Sequence, residues 1–182
     1  MRNKSSAGFS YIEVMIAIII LMVGLLAMLS AISAAVVQAR GQEQTLTARH
    51  IAATTMESIM SVKETDPERM GWDAVGNIGS NPDENDDPQG IFLTGMQPVM
   101  SDPGPDEVIG TADDTGTEVG SFRRSIVITD QCDPDRPSPD CNPPGDEPIK
   151  IRTVVITIEY FVGLALNQHV VSTVLTDYSV EE

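Results

Sequence analysis

The side chains able to do chemistry in this 182-residue chain fall into three groups. The first is one carboxylate, Glu13, at the mouth of a run from Val14 to Val37 that holds no charged residue. A carboxylate beside so much apolar sequence is costly to desolvate and calls for a positive partner. The second is a set of hard oxygen donors in an acidic stretch. Asp83, Asn85 and Asp87 have the D-x-N-x-D spacing that turns alternate oxygens to one side of a loop, and Asp102, Asp106, Asp113 and Asp114 fall in a turn rich in Gly and Pro. Such donors suit Ca2+. The EF-hand pattern then stops, because Pro88 stands at its glycine position and Thr94 at its bidentate glutamate. A solvated acidic loop is the competing reading, and the preferred one. The third group is Cys132 and Cys141, flanking a Pro-rich segment.

Catalytic chemistry finds little support. There is no Gly-x-Ser-x-Gly, no phosphate loop and no histidine metal motif, and His50 and His169 are isolated. The expectation is a protein that is not an enzyme and carries no cofactor, Ca2+ being the alternative. Zinc would ask for more Cys or His than two thiols, and a redox C-x-x-C is absent.

Charge divides the chain. Through Thr65 the net is +1, and from Asp66 onward it is −17, giving −16 overall. Strong acidity argues against nucleic acid and anionic membrane surfaces as partners. The basic residues Arg2 and Lys4 precede the apolar run, so that end stays in the cytoplasm and the acidic part lies outside. In an exported domain two cysteines favour a Cys132–Cys141 disulfide. Closing that loop is worth about 2.7 kcal/mol in the chain-entropy model.

These groups must be positioned by a helix and a sheet. The 24 uncharged residues from Val14 to Val37 reach about 36 Å as a helix, against a hydrocarbon core of about 30 Å. From Gln38 to Lys63 there is no Pro and one Gly, so the helix continues. Ala39, Leu46, Ala53 and Met60 recur every seven residues, flanked by Ala52, Met56 and Ile59, and predict the buried stripe of an amphipathic half. Pro67 suits the first position of a following turn or helix, and Trp72 reads as a core anchor. Residues 76–120 read as an acidic loop with a short strand at Gly90–Thr94. Strands are predicted at Ser121–Thr129, Ile149–Phe161 and Gln168–Tyr178, the last two joined through Gly163–Asn167. Phe122, Arg124, Ile126 and Ile128 share one face of the first of these strands. The expected fold class is α+β, a long N-terminal transmembrane and amphipathic helix packed on a small antiparallel sheet.

One stretch carries a family signal. A basic leader, then Gly8-Phe9-Ser10-Tyr11-Ile12-Glu13-Val14-Met15-Ile16-Ala17, resembles the N-terminus of type IV pilins and type II secretion pseudopilins. Together with Ala52-Ala53-Thr54-Thr55-Met56-Glu57 it is similar in look to PilV-type minor pilins. A secretory signal differs, having a shorter apolar region with its small residues after it. A plain anchor would not need Glu13.

The resemblance implies cleavage by a prepilin peptidase between Gly8 and Phe9 and N-methylation of Phe9. It implies a leader of residues 1–8, an assembly and membrane segment of 9–37, an amphipathic segment of 38–63 and an exported domain of 64–182. Glu13 then matches the family's glutamate, and the new amine on Phe9 of an adjacent subunit would neutralise it during assembly. The implied partners are other major and minor pilin subunits, the peptidase, the inner-membrane assembly platform and, before assembly, the inner membrane itself, crossed once with the C-terminal domain in the periplasm. The subunit then passes into a surface pilus fibre. A type II secretion pseudopilin is the alternative, and a calcium-dependent adhesive module on a pilin stem is another.

Overall fold

The computed structural model describes Gly8 and residues 10–65, 70–83, 85–131 and 149–177. The leader residues 1–7, Phe9, and Cys132 and Cys141 with their predicted disulfide lie outside the described residues. The chain divides into two compact units, Met1–Gln42 and Glu43–Glu182.

One helix, α1 (Tyr11–Glu64, 54 residues), contributes to both units. Proline is missing throughout it, so no backbone donor is lost and no carbonyl is displaced. In the first unit its Ile, Leu, Met and Val side chains are exposed all round, from Val14 to Val37. The helix is long and apolar enough there to cross a membrane.

In the second unit α1 has a buried face made of Ala48, Ile51, Ala52, Thr55, Ile59 and Val62. This corrects the predicted stripe. Leu46 is 63% and Met60 49% exposed, and Ala39 and Ala53 are exposed as well. Ala52 and Ile59, expected at the stripe's flank, lie instead within the buried face. Position 48 is two residues beyond 46, about 200° around a helix, so the sheet covers nearly the opposite side. Ala48 and Ala52 are fully buried in this face. Thr55 tolerates burial because its hydroxyl donates to the Ile51 carbonyl at 2.8 Å.

The sheet has four antiparallel strands in sequential order: β1 (Gln97–Asp102), β2 (Thr115–Gln131), β3 (Ile151–Val162) and β4 (Ala165–Thr176). Arg152, Val154, Ile156, Ile158 and Tyr160 form the inner face of β3, all buried. Against them lie Phe122 and Ile126 of β2 and Leu175 of β4. Phe92 and Val75, also fully buried, close the core from the segment between helix and sheet.

Two readings of the chain are corrected here. The predicted loop over 76–120 contains β1 and the start of β2. β1 was hidden because it holds Pro98 and pairs irregularly, with register shifts between Pro98 and Met100 and between Met100 and Asp102. As an edge strand it accepts the proline. Gly120, with φ +57, lies opposite that irregular stretch, in a conformation that favours glycine. The expected strand at Gly90–Thr94 is reduced to one isolated bridge, Asn77 with Phe92.

The β3–β4 hairpin is tighter than expected. Val162 pairs with Ala165, so the turn is Gly163 and Leu164 alone, with Gly163 at φ +64. A short helix, α2 (Gly71–Ala74), carries Trp72 beside the core. The Trp72 indole N–H donates to the Ile149 carbonyl at 2.7 Å, and the Arg152 guanidinium lies 4.4 Å from its ring centre.

Candidate functional site

Glu13 is placed by the way α1 begins. The amides of Glu13 and Val14 both donate to the Ser10 carbonyl, at 3.0 and 3.3 Å. The carboxylate falls in the first turn, where its charge complements the positive end of the helix dipole. It is exposed, and Val14, Ala17, Ile18 and Leu21 line an apolar groove beside it. Among the described residues no cation pairs with Glu13. Of the predicted cleavage pair, Gly8 is exposed and Phe9 lies outside the described residues.

The acidic candidates fall in two separate loops, with Asp106 and Asp113 side by side in the second. Asp83 Oδ1 accepts the amides of Asn85 at 2.8 Å and Asp87 at 2.9 Å, closing its loop on one carboxylate. Those bonds from Asp87 and Asn85 hold the Asp83 carboxyl below its usual pKa. Asp102 accepts the Gly104 amide at 3.0 Å, and Asp106 accepts that of Val108 at 2.8 Å. Asp113 accepts the Thr111 hydroxyl at 2.6 Å and the Asp106 amide at 3.3 Å. The Thr111 bond leads in holding Asp113 low, whereas burial raises Asp106. Among the described residues no three His, Cys, Asp or Glu side chains are gathered to hold a metal ion.

Asp114, one of the hard oxygen donors of that turn, is half of an ion pair. Its Oδ2 meets Arg124 at 2.7 Å, with the arginine side chain 3% exposed. The Gly110 amide donates to the same carboxylate at 3.0 Å. Burial lowers the Arg124 guanidinium from its ordinary pKa, and Asp114 opposes that shift. The pair ties the turn before β2 to the sheet, and the Ile109 amide, donating to Ser58 Oγ at 2.9 Å, ties the same turn to α1. Arg152 is the second buried arginine. It pairs with Asp130 at 2.9 Å and donates to the carbonyls of Trp72 and Val75. The sequence signal for both was their place on apolar strand faces. His50 is exposed on α1, and His169 lies on the inner face of β4 opposite Ile158.

Fold and site together define an α+β chain whose N-terminal helix could span a membrane and whose isolated charge stands at that helix's first turn. Comparison with protein-family models, with curated proteins and with solved structures finds no match.

Proposed function

We propose that the chain is a minor type IV pilin, a non-catalytic subunit that primes a pilus fibre or is incorporated into one. The observation that carries this reading is the division of α1. Its first half is apolar and exposed on every side with Glu13 in its first turn, while its second half is buried on one face against an antiparallel sheet. An anchor alone has no use for a carboxylate at that place. A subunit stored in a membrane and then packed helix to helix has, because the amine of a processed neighbour neutralises it. Residues 1–8 are the leader, Phe9 is the methylated terminus, and the domain after α1 projects from the periplasmic face before entering the fibre.

Mass spectrometry of purified fibres tests the proposal. Peptides of this chain beginning at Phe9 are expected among the pilus subunits. Their absence from fibres, with the chain present in the membrane, would overturn it. The type II secretion pseudopilin shares the same division of the helix, and a chain encoded among secretion genes rather than pilus genes would favour that reading.

A further inference from the structure

The two edges of the sheet are built differently. β1 is six residues long, holds Pro98, ends on Asp102 and pairs with two register shifts. Such features keep a sheet edge from recruiting another strand. β4 has none of them. It runs for 12 residues without Pro, Asp, Glu, Lys or Arg and pairs with β3 at every position without a shift. This holds although the chain after Thr65 has a net charge of −17.

The hydrogen-bond phase of β4 is set at its end. The Asp177 amide donates to the Lys150 carbonyl at 2.9 Å, one step beyond the Ile151–Thr176 pair. Bonded and non-bonded positions alternate in an antiparallel ladder, so Leu175, Val171 and the other odd-numbered residues of β4 bond to β3. The amides and carbonyls of Leu166, Gln168, Val170, Ser172 and Val174 therefore point to the open edge. Among the described residues no strand lies there. The side chains of these residues share the outer face, where Leu166 is 54%, Val170 54% and Val174 58% exposed.

Those three apolar residues recur at every fourth position, and the spacing is self-complementary. Laid antiparallel about a twofold axis at Val170, two copies of β4 set Val170 against the partner's Val170 and Leu166 against the partner's Val174. Gln168 then faces the partner's Ser172. Apolar meets apolar and polar meets polar along the row from Leu166 to Val174, and its five pairs exchange about ten hydrogen bonds. Moving the axis by one residue, to Val171, sets Val170 against the partner's Ser172 and breaks the match.

We propose that β4 pairs with β4 of a second copy of this chain, antiparallel about a twofold axis at Val170, giving a homodimer with one continuous sheet. The seam lies wholly within the unit Glu43–Glu182 and does not depend on the pilin reading. Two acidic domains repel each other, so the dimer tightens as salt shortens the screening length from about 10 Å at 0.1 M to about 3 Å at 1 M.

Charge pairing at position 170 tests the axis. The full chain in detergent is followed by analytical ultracentrifugation over a concentration series at low and high salt. Wild type is expected to form a dimer that strengthens with salt. Val170→Lys and Val170→Glu each set like charges opposite one another and should each weaken association at least about tenfold. An equimolar mixture of the two sets Lys against Glu and should restore the dimer, which also shows that both variants are folded. Val127→Lys puts the same charge on the exposed outer face of β2, beyond β3, and should dimerise as wild type does. A wild-type monomer at every concentration and salt would overturn the proposal and leave this edge to a strand of another protein. A dimer unaffected by either variant at position 170, or a mixture no tighter than the variants alone, would also overturn it, by placing the contact away from Val170.

Discussion

Two charges with opposite settings dominate at the scale of single residues. Glu13 is exposed and unpaired among the described residues, so its replacement should leave the isolated chain's stability unchanged. The dipole contribution at a helix start is about 0.3–1 kcal/mol, too small to decide folding. Glu13→Ala and Glu13→Gln are both expected to reach the membrane normally and to be depleted from sheared fibres. Immunoblots of the two fractions measure this, and fibre levels equal to wild type would remove Glu13 from the assembly contact. Asp114 is the contrasting case. Asp114→Asn keeps an acceptor for the Gly110 amide but leaves the Arg124 guanidinium buried without its counter-charge. The expected loss is about 3–5 kcal/mol, read by denaturant unfolding of the detergent-solubilised chain.

Among the elements, α1 presents two apolar stripes with different fates. Ile59 is fully buried under the sheet, and Ile59→Ala is expected to cost about 2–5 kcal/mol in the same unfolding assay. Leu46 and Met60 face outward, so Leu46→Gln should change stability by less than about 0.5 kcal/mol. If the outer stripe packs on neighbouring subunits, as the pilin proposal requires of an unburied helix face, Leu46→Gln will still be depleted from fibres. The β1–β2 connection adds a pH dependence. Burial raises the Asp106 carboxyl above its usual value, so the folded chain binds that proton more tightly than the unfolded chain does. This contribution is fully present below the ordinary aspartate pKa and is lost as pH rises through the raised one. Asp106→Asn should flatten the fall in melting temperature across that window, and an unchanged pH profile would show that Asp106 does not set it.

Taken whole, the molecule is governed by its −16 net charge. The acidic side chains of the loops accept backbone amides at separate points, as at Asp83, Asp102 and Asp106. Divalent cations are therefore expected to act by screening, with Ca2+ and Mg2+ raising the melting temperature equally at matched ionic strength. A larger rise with Ca2+ would establish a specific site and favour the calcium-dependent reading. Processing is also a property of the full chain: intact-mass measurement is expected to show loss of residues 1–8 and one methyl group on Phe9 in cells with an active prepilin peptidase.

What the sequence determined by itself was whatever depends on local pattern. The charge-free run from Val14 to Val37 is legible as a membrane-length helix because hydropathy and length suffice for that. Glu13 stands out there because a carboxylate in such surroundings needs an explanation. The long β2–β4 strands were readable from alternation and β-branched content, and Arg124 was visible on an apolar face, though its partner was not; Arg152 was not singled out. Only the tertiary structure decided which side of α1 is buried, since Leu46 and Ile59 are equally apolar and a helix cannot itself choose where a sheet will lie. It likewise decided β1, whose Pro98 and broken register obscure any strand signal until β2 supplies the pairing. The fate of Asp114 was settled in the same way. Turn composition made it one candidate donor among several, and the partner the structure gives it is Arg124, ten residues away in sequence and 2.7 Å away in space; long-range Coulomb pairing leaves no periodicity to read.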